Sequence, residues 1–206
     1  FYVMPFVDGE SLRTRLARDG RLRVTEAVSL ARVIAGALEH AHRHGVIHRD
    51  IKPANILLSD GHAQVADFGI ARAITDHGSD VITQTGVVIG SPAYMSPEQA
   101  AAAPTLDGRT DIYALGCVLY EMLVGRPPFS GGDSVAVLAR HITDPVPSLR
   151  AVRADVPLWL EDVVRKALAE RSSMEGFTRR CSNREAFQEA WTAGEPSWPA
   201  PARGGR

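Results

Sequence analysis

Four polar residues in the first third of the chain have types and spacings that suit one piece of chemistry. Asp50, Lys52 and Asn55 lie within six residues of one another, and Asp67 follows 17 residues after Asp50. A carboxylate such as Asp50 could accept a proton from a hydroxyl group. In an extended loop Lys52 would point to the same side as Asp50 and place a positive charge beside an anion. Asn55 and Asp67 offer oxygen ligands, which Mg²⁺ prefers.

These residues belong to three short motifs that occur in a fixed order. The motifs are His48-Arg49-Asp50-Ile51-Lys52-Pro53-Ala54-Asn55, then Asp67-Phe68-Gly69, then Ser96-Pro97-Glu98. At these residues the chain resembles the protein kinase superfamily. Either of the first two motifs alone would more often be a charged surface loop. Both together, at this spacing and with Lys52 and Asn55 in place, favour the kinase interpretation.

The resemblance implies roles for the four polar residues in phosphoryl transfer, a reaction in which positioning and charge neutralisation dominate. Asp50 would be the catalytic base, Lys52 would lie near the γ-phosphate of ATP, and Asn55 and Asp67 would hold Mg²⁺, with Mn²⁺ as the alternative cation. Lys52, Asn55 and Asp67 would all contact ATP. A lysine at position 52 is also the family's mark of a serine/threonine kinase, which argues against a tyrosine kinase.

The resemblance also implies an adenine pocket at the start of the chain. Met4 would guard its back, the hinge would bind adenine through the Pro5 carbonyl and the Val7 amide, and Leu57 would form its floor. Proline lacks only the N–H group, which this contact does not use. Plain core packing is the alternative for these apolar residues.

A further set of residues would have regulatory or structural roles. These are His48, Arg49, Phe68, Gly69, Thr83, Thr85, Ser91, Glu98 and Asp111. Arg49 would pair with a phosphate on Thr83 or Thr85 in a long loop over residues 75–95, unless these are ordinary loop threonines. Asp111 would hold the catalytic-loop backbone, or would simply cap its own helix.

Two features depart from the family pattern. A kinase needs a Gly-x-Gly-x-x-Gly loop and a strand lysine, but this chain has no Gly-x-Gly and its lysines are Lys52 and Lys166. The resemblance therefore covers roughly residues 1–193, and the β-rich N-terminal lobe is expected to be absent. Glu98 would normally pair with an arginine, yet Glu175 occupies that register, which leaves Arg171 or Arg179 as substitutes.

The patterns predict an α+β fold that is mainly helical, with a few short strands. Helices are expected at 12–18, capped by Ser11, then from Thr25 to Gly45, and at 111–124, 134–142, 158–170 and 182–192. Strands are expected at 1–7, 46–47, 56–58 and 63–65. Residues 1–10 would be the last N-lobe strand and the hinge, 11–193 the C-terminal lobe, and 194–206 a disordered linker.

The amino-acid composition limits the partners and the cellular compartment that the sequence suggests. The net charge of −1 gives no indication of nucleic-acid binding. The two cysteines make no disulfide framework and fit a reducing cytoplasm, and no apolar stretch is long enough to span a membrane. A high arginine and alanine content is typical of an actinobacterial protein.

His40, His42 and His44 are close in sequence, but no carboxylate or cysteine near them favours a metal site.

Three hypotheses follow for the function. The first is a truncated bacterial serine/threonine kinase that phosphorylates protein hydroxyls, including its own through autophosphorylation in a dimer. Its full-length parent would be cytoplasmic, with a membrane anchor after the kinase domain. The second is an inactive kinase lobe that serves as an interaction module. The third is a gene fragment whose exposed apolar hinge aggregates.

Overall fold

The computed structural model describes residues 8–59, 62–68 and 91–169. Its elements are β1 (Glu10–Ser11), α1 (Leu12–Asp19), α2 (Val24–Arg43), β2 (Ile56–Ser59), β3 (His62–Val65), α3 (Pro97–Ala100), α4 (Arg109–Val124), α5 (Ser134–Thr143), α6 (Leu149–Val152) and α7 (Leu158–Ala167). Short 3-10 helices span Pro53–Asn55 and Pro92–Tyr94. The predicted α+β fold, mainly helical with a few short strands, is confirmed. The expected strand at 1–7, helix at 182–192 and terminal linker lie outside the described residues.

The three strands form one antiparallel sheet in the order β1-β2-β3. Glu10 pairs with Leu58, and Leu58 also pairs with Ala63. Gly9 allows the chain to enter this sheet, because a Cβ atom there would overlap the carbonyl oxygen of Leu58. The sheet matters for the site because β3 ends at Val65, two residues before Asp67.

The first two helices differ in how well the sequence predicts their starts. The Ser11 side chain accepts a hydrogen bond from the Thr14 amide at 3.1 Å, so its predicted role as the N-cap of α1 is confirmed. The prediction that Thr25 caps α2 is wrong, because the N-cap position is Arg23, which makes no side-chain capping bond. Arg23 has the extended backbone of a cap residue (φ −63°, ψ 147°) without the usual side chain.

Helix α4 is the centre of the core, and α2 and α7 pack against it. Nearly all of its residues are buried, as expected for a helix that is apolar on every side. Gly116 lets α7 approach closely, since a Cβ atom there would lie 3.0 Å from the Cβ of Ala167. The first turn of α4 carries Asp111, so the position of this buried helix fixes the position of that carboxylate.

The segment between α2 and β2 contains no regular strand, and the strand predicted at 46–47 is therefore wrong. Residues 46–52 instead form an irregular loop, in which the amides of His48, Arg49 and Asp50 donate to side chains. Short apolar pairs are poor indicators of strands, and here Val46 is exposed and Ile47 is half-buried. Among the described helices, none is both long and apolar enough to cross a membrane.

Candidate active site

Asp50 lies at the centre of a short loop whose polar side chains converge on it. Lys52 Nζ donates to Asp50 Oδ2 at 2.7 Å, and Asn55 Nδ2 donates to the same oxygen at 3.0 Å and to the Asp50 carbonyl at 2.8 Å. Lys52 is extended (φ −157°, ψ 162°), so it points to the side of Asp50 that the spacing predicts. The 3-10 helix that follows brings Asn55 back to the loop. Among the described residues, both side-chain bonds fall on Oδ2, which leaves Oδ1 of Asp50 to accept a proton.

His48 connects this loop to the end of β3. Its ring is buried, Nδ1 accepts from the Asp50 amide at 3.3 Å, and Nε2 lies 2.8 Å from the Ala66 carbonyl. Because an amide can only donate and a carbonyl can only accept, the proton of the ring belongs on Nε2. Phe68 packs edge-on against the His48 ring, with centroids 4.7 Å apart.

Asp67 follows at the end of β3 in an unusual backbone conformation. Its φ of 64° lies in the left-handed region, which a non-glycine residue adopts at a cost, and such residues cluster at functional sites. The Ala66 amide donates to the Asn55 carbonyl at 2.9 Å. The backbones that carry Asn55 and Asp67 are therefore tied together, and the Asp67 side chain is exposed.

These two residues fit a hard divalent cation. The Nδ2 atom of Asn55 is used by Asp50, so the amide oxygen is the atom left to bind a metal. The Asp67 carboxylate supplies a charged oxygen on an adjoining segment. The three histidines around the end of α2 make other contacts. His42 binds Asp111, His44 Nδ1 lies 2.8 Å from the His40 carbonyl, and the rings of His40 and His44 are 4.5 Å apart. No group of three or more metal-ligating side chains (His, Cys, Asp or Glu) occurs in the described part of the chain.

Asp111 holds the loop from the side of the core. Its carboxylate is fully buried and accepts from the amides of His48 at 2.9 Å and Arg49 at 2.8 Å. His42 Nε2 lies 2.7 Å from the same carboxylate. The alternative in which Asp111 merely caps α4 is wrong, because the helix begins at Arg109 and its N-cap position is Gly108.

Gln99 is a site neighbour that the sequence interpretation missed. Together with Ser96 it forms a capping box at the start of α3, and its Nε2 atom also donates to the Arg49 carbonyl at 2.8 Å. The Ser-x-x-Gln pattern of Ser96 and Gln99 is a known signal for the capping box. No sequence signal marks the second bond, since Arg49 lies 50 positions away.

Glu98 has a neutral partner in the described part of the chain. Thr110 Oγ1 donates to Glu98 Oε1 at 2.8 Å. The arginines considered as partners from the sequence, Arg171 and Arg179, and the glutamate at their register, Glu175, lie outside the described residues. Thr110 had not been considered as a partner.

The segment from Ser91 to Tyr94 lies against α4. Ser91 precedes the 3-10 helix, and its carbonyl accepts from the Tyr94 amide at 3.0 Å. Tyr94 donates its hydroxyl hydrogen to Glu121 at 2.6 Å. Burial raises the pKa of Glu121, although the Tyr94 hydrogen bond opposes this effect. The pair fixes the segment to the core helix.

His141 on α5 is buried beside the same segment, and its burial predicts a loss of stability in acid. Tyr113 lies 2.7 Å from His141 Nδ1, and burial lowers the pKa of His141 to about 4, with the Pro92 carbonyl opposing the shift. The unfolded chain takes up a proton below pH 6.5, but the folded chain does so only near pH 4. The contribution of His141 to the free energy of unfolding is therefore fully present above pH 6.5, and roughly 3 kcal/mol of it is lost between pH 6.5 and 4.

This prediction can be checked by urea unfolding at pH 7.5, 5.5 and 4.5 for the protein and for His141→Gln. Glutamine does not titrate, so the difference between the two curves isolates His141 from the carboxylates that also lose stability in acid. The wild type should lose more stability than the variant between pH 7.5 and 4.5. Parallel curves would contradict the prediction.

The remaining predicted site residues are placed as follows. Leu57 is half-buried on β2, where it pairs with Gln64. Met4, Pro5, Val7, Gly69, Thr83 and Thr85 lie outside the described residues. The adenine pocket and the regulatory loop therefore stay predictions.

Comparison with known proteins identifies the family. The protein kinase domain family matches residues 1–192. The chain is 50% identical over 172 residues to the serine/threonine-protein kinase PknB of Mycolicibacterium smegmatis and 46% identical to PknB of Mycobacterium tuberculosis, covering 82% of this chain and 27% of each relative. The crystal structure of a mutant of the Mycobacterium tuberculosis PknI kinase domain matches 93% of this chain and 64% of that chain, with a TM-score of 0.63 and 30% identity.

The chain therefore belongs to the protein kinase family, and its relatives are bacterial serine/threonine kinases. It spans about a quarter of the length of the curated relatives that it matches.

Proposed function

We propose that this chain is the catalytic lobe of a bacterial serine/threonine protein kinase that transfers the γ-phosphate of ATP to protein hydroxyl groups. The observation that carries the proposal is the environment of Asp50. One carboxylate oxygen is held by Lys52 and Asn55, and among the described residues the other is left to take the proton of the attacking hydroxyl. This is the arrangement that a general base in phosphoryl transfer requires.

Three side chains near Asp50 would take part in the same reaction. Lys52 stands beside Asp50, where its ammonium group can neutralise charge on the transferred phosphate. Asn55 and Asp67 would hold Mg²⁺, which neutralises phosphate charge when it is bound. The proposed substrates are serine and threonine side chains of proteins, and Thr83 and Thr85 of a second copy are candidates for autophosphorylation. The proposed location of the parent protein is the cytoplasm, with an anchor beyond the kinase domain.

The test uses a completed kinase, defined as this chain fused after an N-terminal lobe from a related kinase that carries the glycine-rich loop and the strand lysine. Radiolabelled ATP, Mg²⁺ and casein are added, and the phosphorylated residues are identified after acid hydrolysis. We expect phosphoserine and phosphothreonine, complete loss of labelling with a chelator, and recovery when Mg²⁺ or Mn²⁺ is returned. Labelling on tyrosine would overturn the specificity, and ATP binding without any transfer would favour an interaction module.

A further inference from the structure

We propose that Gln99 is a positioning residue for Asp50, which it reaches through the carbonyl group of Arg49. The inference rests on the proposed function because it concerns the orientation of the proposed base. It assigns a role to a residue that belongs to none of the three motifs from which the site was predicted.

The geometry of the Gln99 amide leaves one orientation. Its oxygen accepts from the Ser96 amide at 3.1 Å, and its nitrogen donates to the Arg49 carbonyl at 2.8 Å. A backbone N–H group can only donate and a backbone carbonyl can only accept, so exchanging the two ends of the side chain would lose both bonds. Gln99 therefore joins the start of α3 to the loop that carries Asp50.

The bond falls on a strained residue. Arg49 has a φ of 69°, a left-handed conformation that a residue other than glycine adopts only at a cost in energy. Its amide is held by Asp111 Oδ1 at 2.8 Å, and its carbonyl is held by Gln99. Two side chains from separate helices thus hold the two ends of one residue in a conformation that it would otherwise leave.

The peptide group that Gln99 holds is the one that leads into Asp50. A peptide group is planar, so the Arg49 carbonyl and the Asp50 amide move as one unit. Gln99 binds the oxygen of this unit, and His48 Nδ1 accepts from its N–H group at 3.3 Å. Rotation of the plane would swing the Cα–Cβ bond of Asp50, and the short Gln99 bond opposes that rotation.

Helix capping alone does not account for both bonds. A capping box needs only the side-chain oxygen at this position, which glutamate supplies as well as glutamine. The nitrogen of Gln99 is the atom that reaches the loop. The substitution Gln99→Glu therefore keeps the capping acceptor and replaces the donor to Arg49 by a carboxylate oxygen, which cannot donate and would repel the Arg49 carbonyl.

The test compares the wild type, Gln99→Glu and Gln64→Glu in the completed kinase. Gln64 is exposed on β3, so the same chemical change there controls for the added charge. We expect Gln99→Glu to lower kcat about tenfold, which corresponds to the loss of one hydrogen bond, with KM for ATP and for casein unchanged within about twofold. The melting temperature should fall by no more than about 5 °C, and Gln64→Glu should match the wild type.

A second readout does not depend on activity. Amide hydrogen exchange at Arg49 and Asp50 should become about tenfold faster in Gln99→Glu, while the amides within α2 keep their wild-type rates. Wild-type kcat in Gln99→Glu would overturn the inference, and so would a fall in kcat that simply follows a fall in melting temperature. If the wild type transfers no phosphate, the proposed function fails, and unchanged exchange at Asp50 would then overturn the positioning role separately.

Discussion

Replacing Asp50 by asparagine in the completed kinase should lower kcat about a thousandfold and leave the affinity for ATP close to the wild-type value. General base catalysis contributes roughly a hundred- to ten-thousandfold, and an amide cannot take up the hydroxyl proton. The side chains have the same shape, so the bond from Lys52 to the Asp50 position, 2.7 Å in the wild type, can still form to the amide oxygen. The loss should therefore appear in kcat while the fold remains intact.

A matched control separates catalysis from a general effect of charge. Asp162 is an exposed carboxylate on α7 that pairs with Arg165, and Asp162→Asn should retain wild-type kcat and melting temperature. Phosphate transfer is measured with radiolabelled ATP, and ATP affinity by calorimetry. If Asp50→Asn keeps more than a tenth of the activity, Asp50 is not the base.

The central part of the site could be predicted from the sequence because its contacts are local. Asp50, Lys52 and Asn55 lie within one loop and one short 3-10 helix, so their spacing almost determines their geometry. Asp67 could be added because the chain resembles the kinase family, in which this motif follows that of Asp50 at a set distance. The buried face of α2 could also be predicted, since apolar residues that recur every 3.6 positions specify such a face.

The contacts between distant segments could not be predicted in this way. The sequence indicated no carboxylate partner near His42, but the packing of α2 against α4 places Asp111 2.7 Å from its ring. The bond from Gln99 to Arg49 likewise depends on where α3 lies relative to the loop. Local rules also failed at Arg23, because tertiary packing can fix a helix start without the usual capping side chain.

Asp111→Asn should lower the free energy of unfolding by about 3 kcal/mol, because two backbone amides donate to this buried carboxylate. The amides of His48 and Arg49 donate to its two different oxygens. Asparagine offers one oxygen and one NH₂ group, so one backbone amide would face another donor. An unsatisfied buried amide costs about 1–3 kcal/mol, and the bond lost was to a charged group.

The same substitution should also reduce kcat, because the backbone of Arg49 loses the partner that holds its amide at a φ of 69°. Urea unfolding gives the stability, and phosphate transfer by the folded fraction gives kcat. Asp107→Asn is the control, since Asp107 is an exposed carboxylate just before the same helix and pairs with Arg109. It should change stability by less than about 0.5 kcal/mol. Equal effects of the two substitutions would mean that the loop does not depend on Asp111, and that the strained conformation of Arg49 is maintained from the Gln99 side alone.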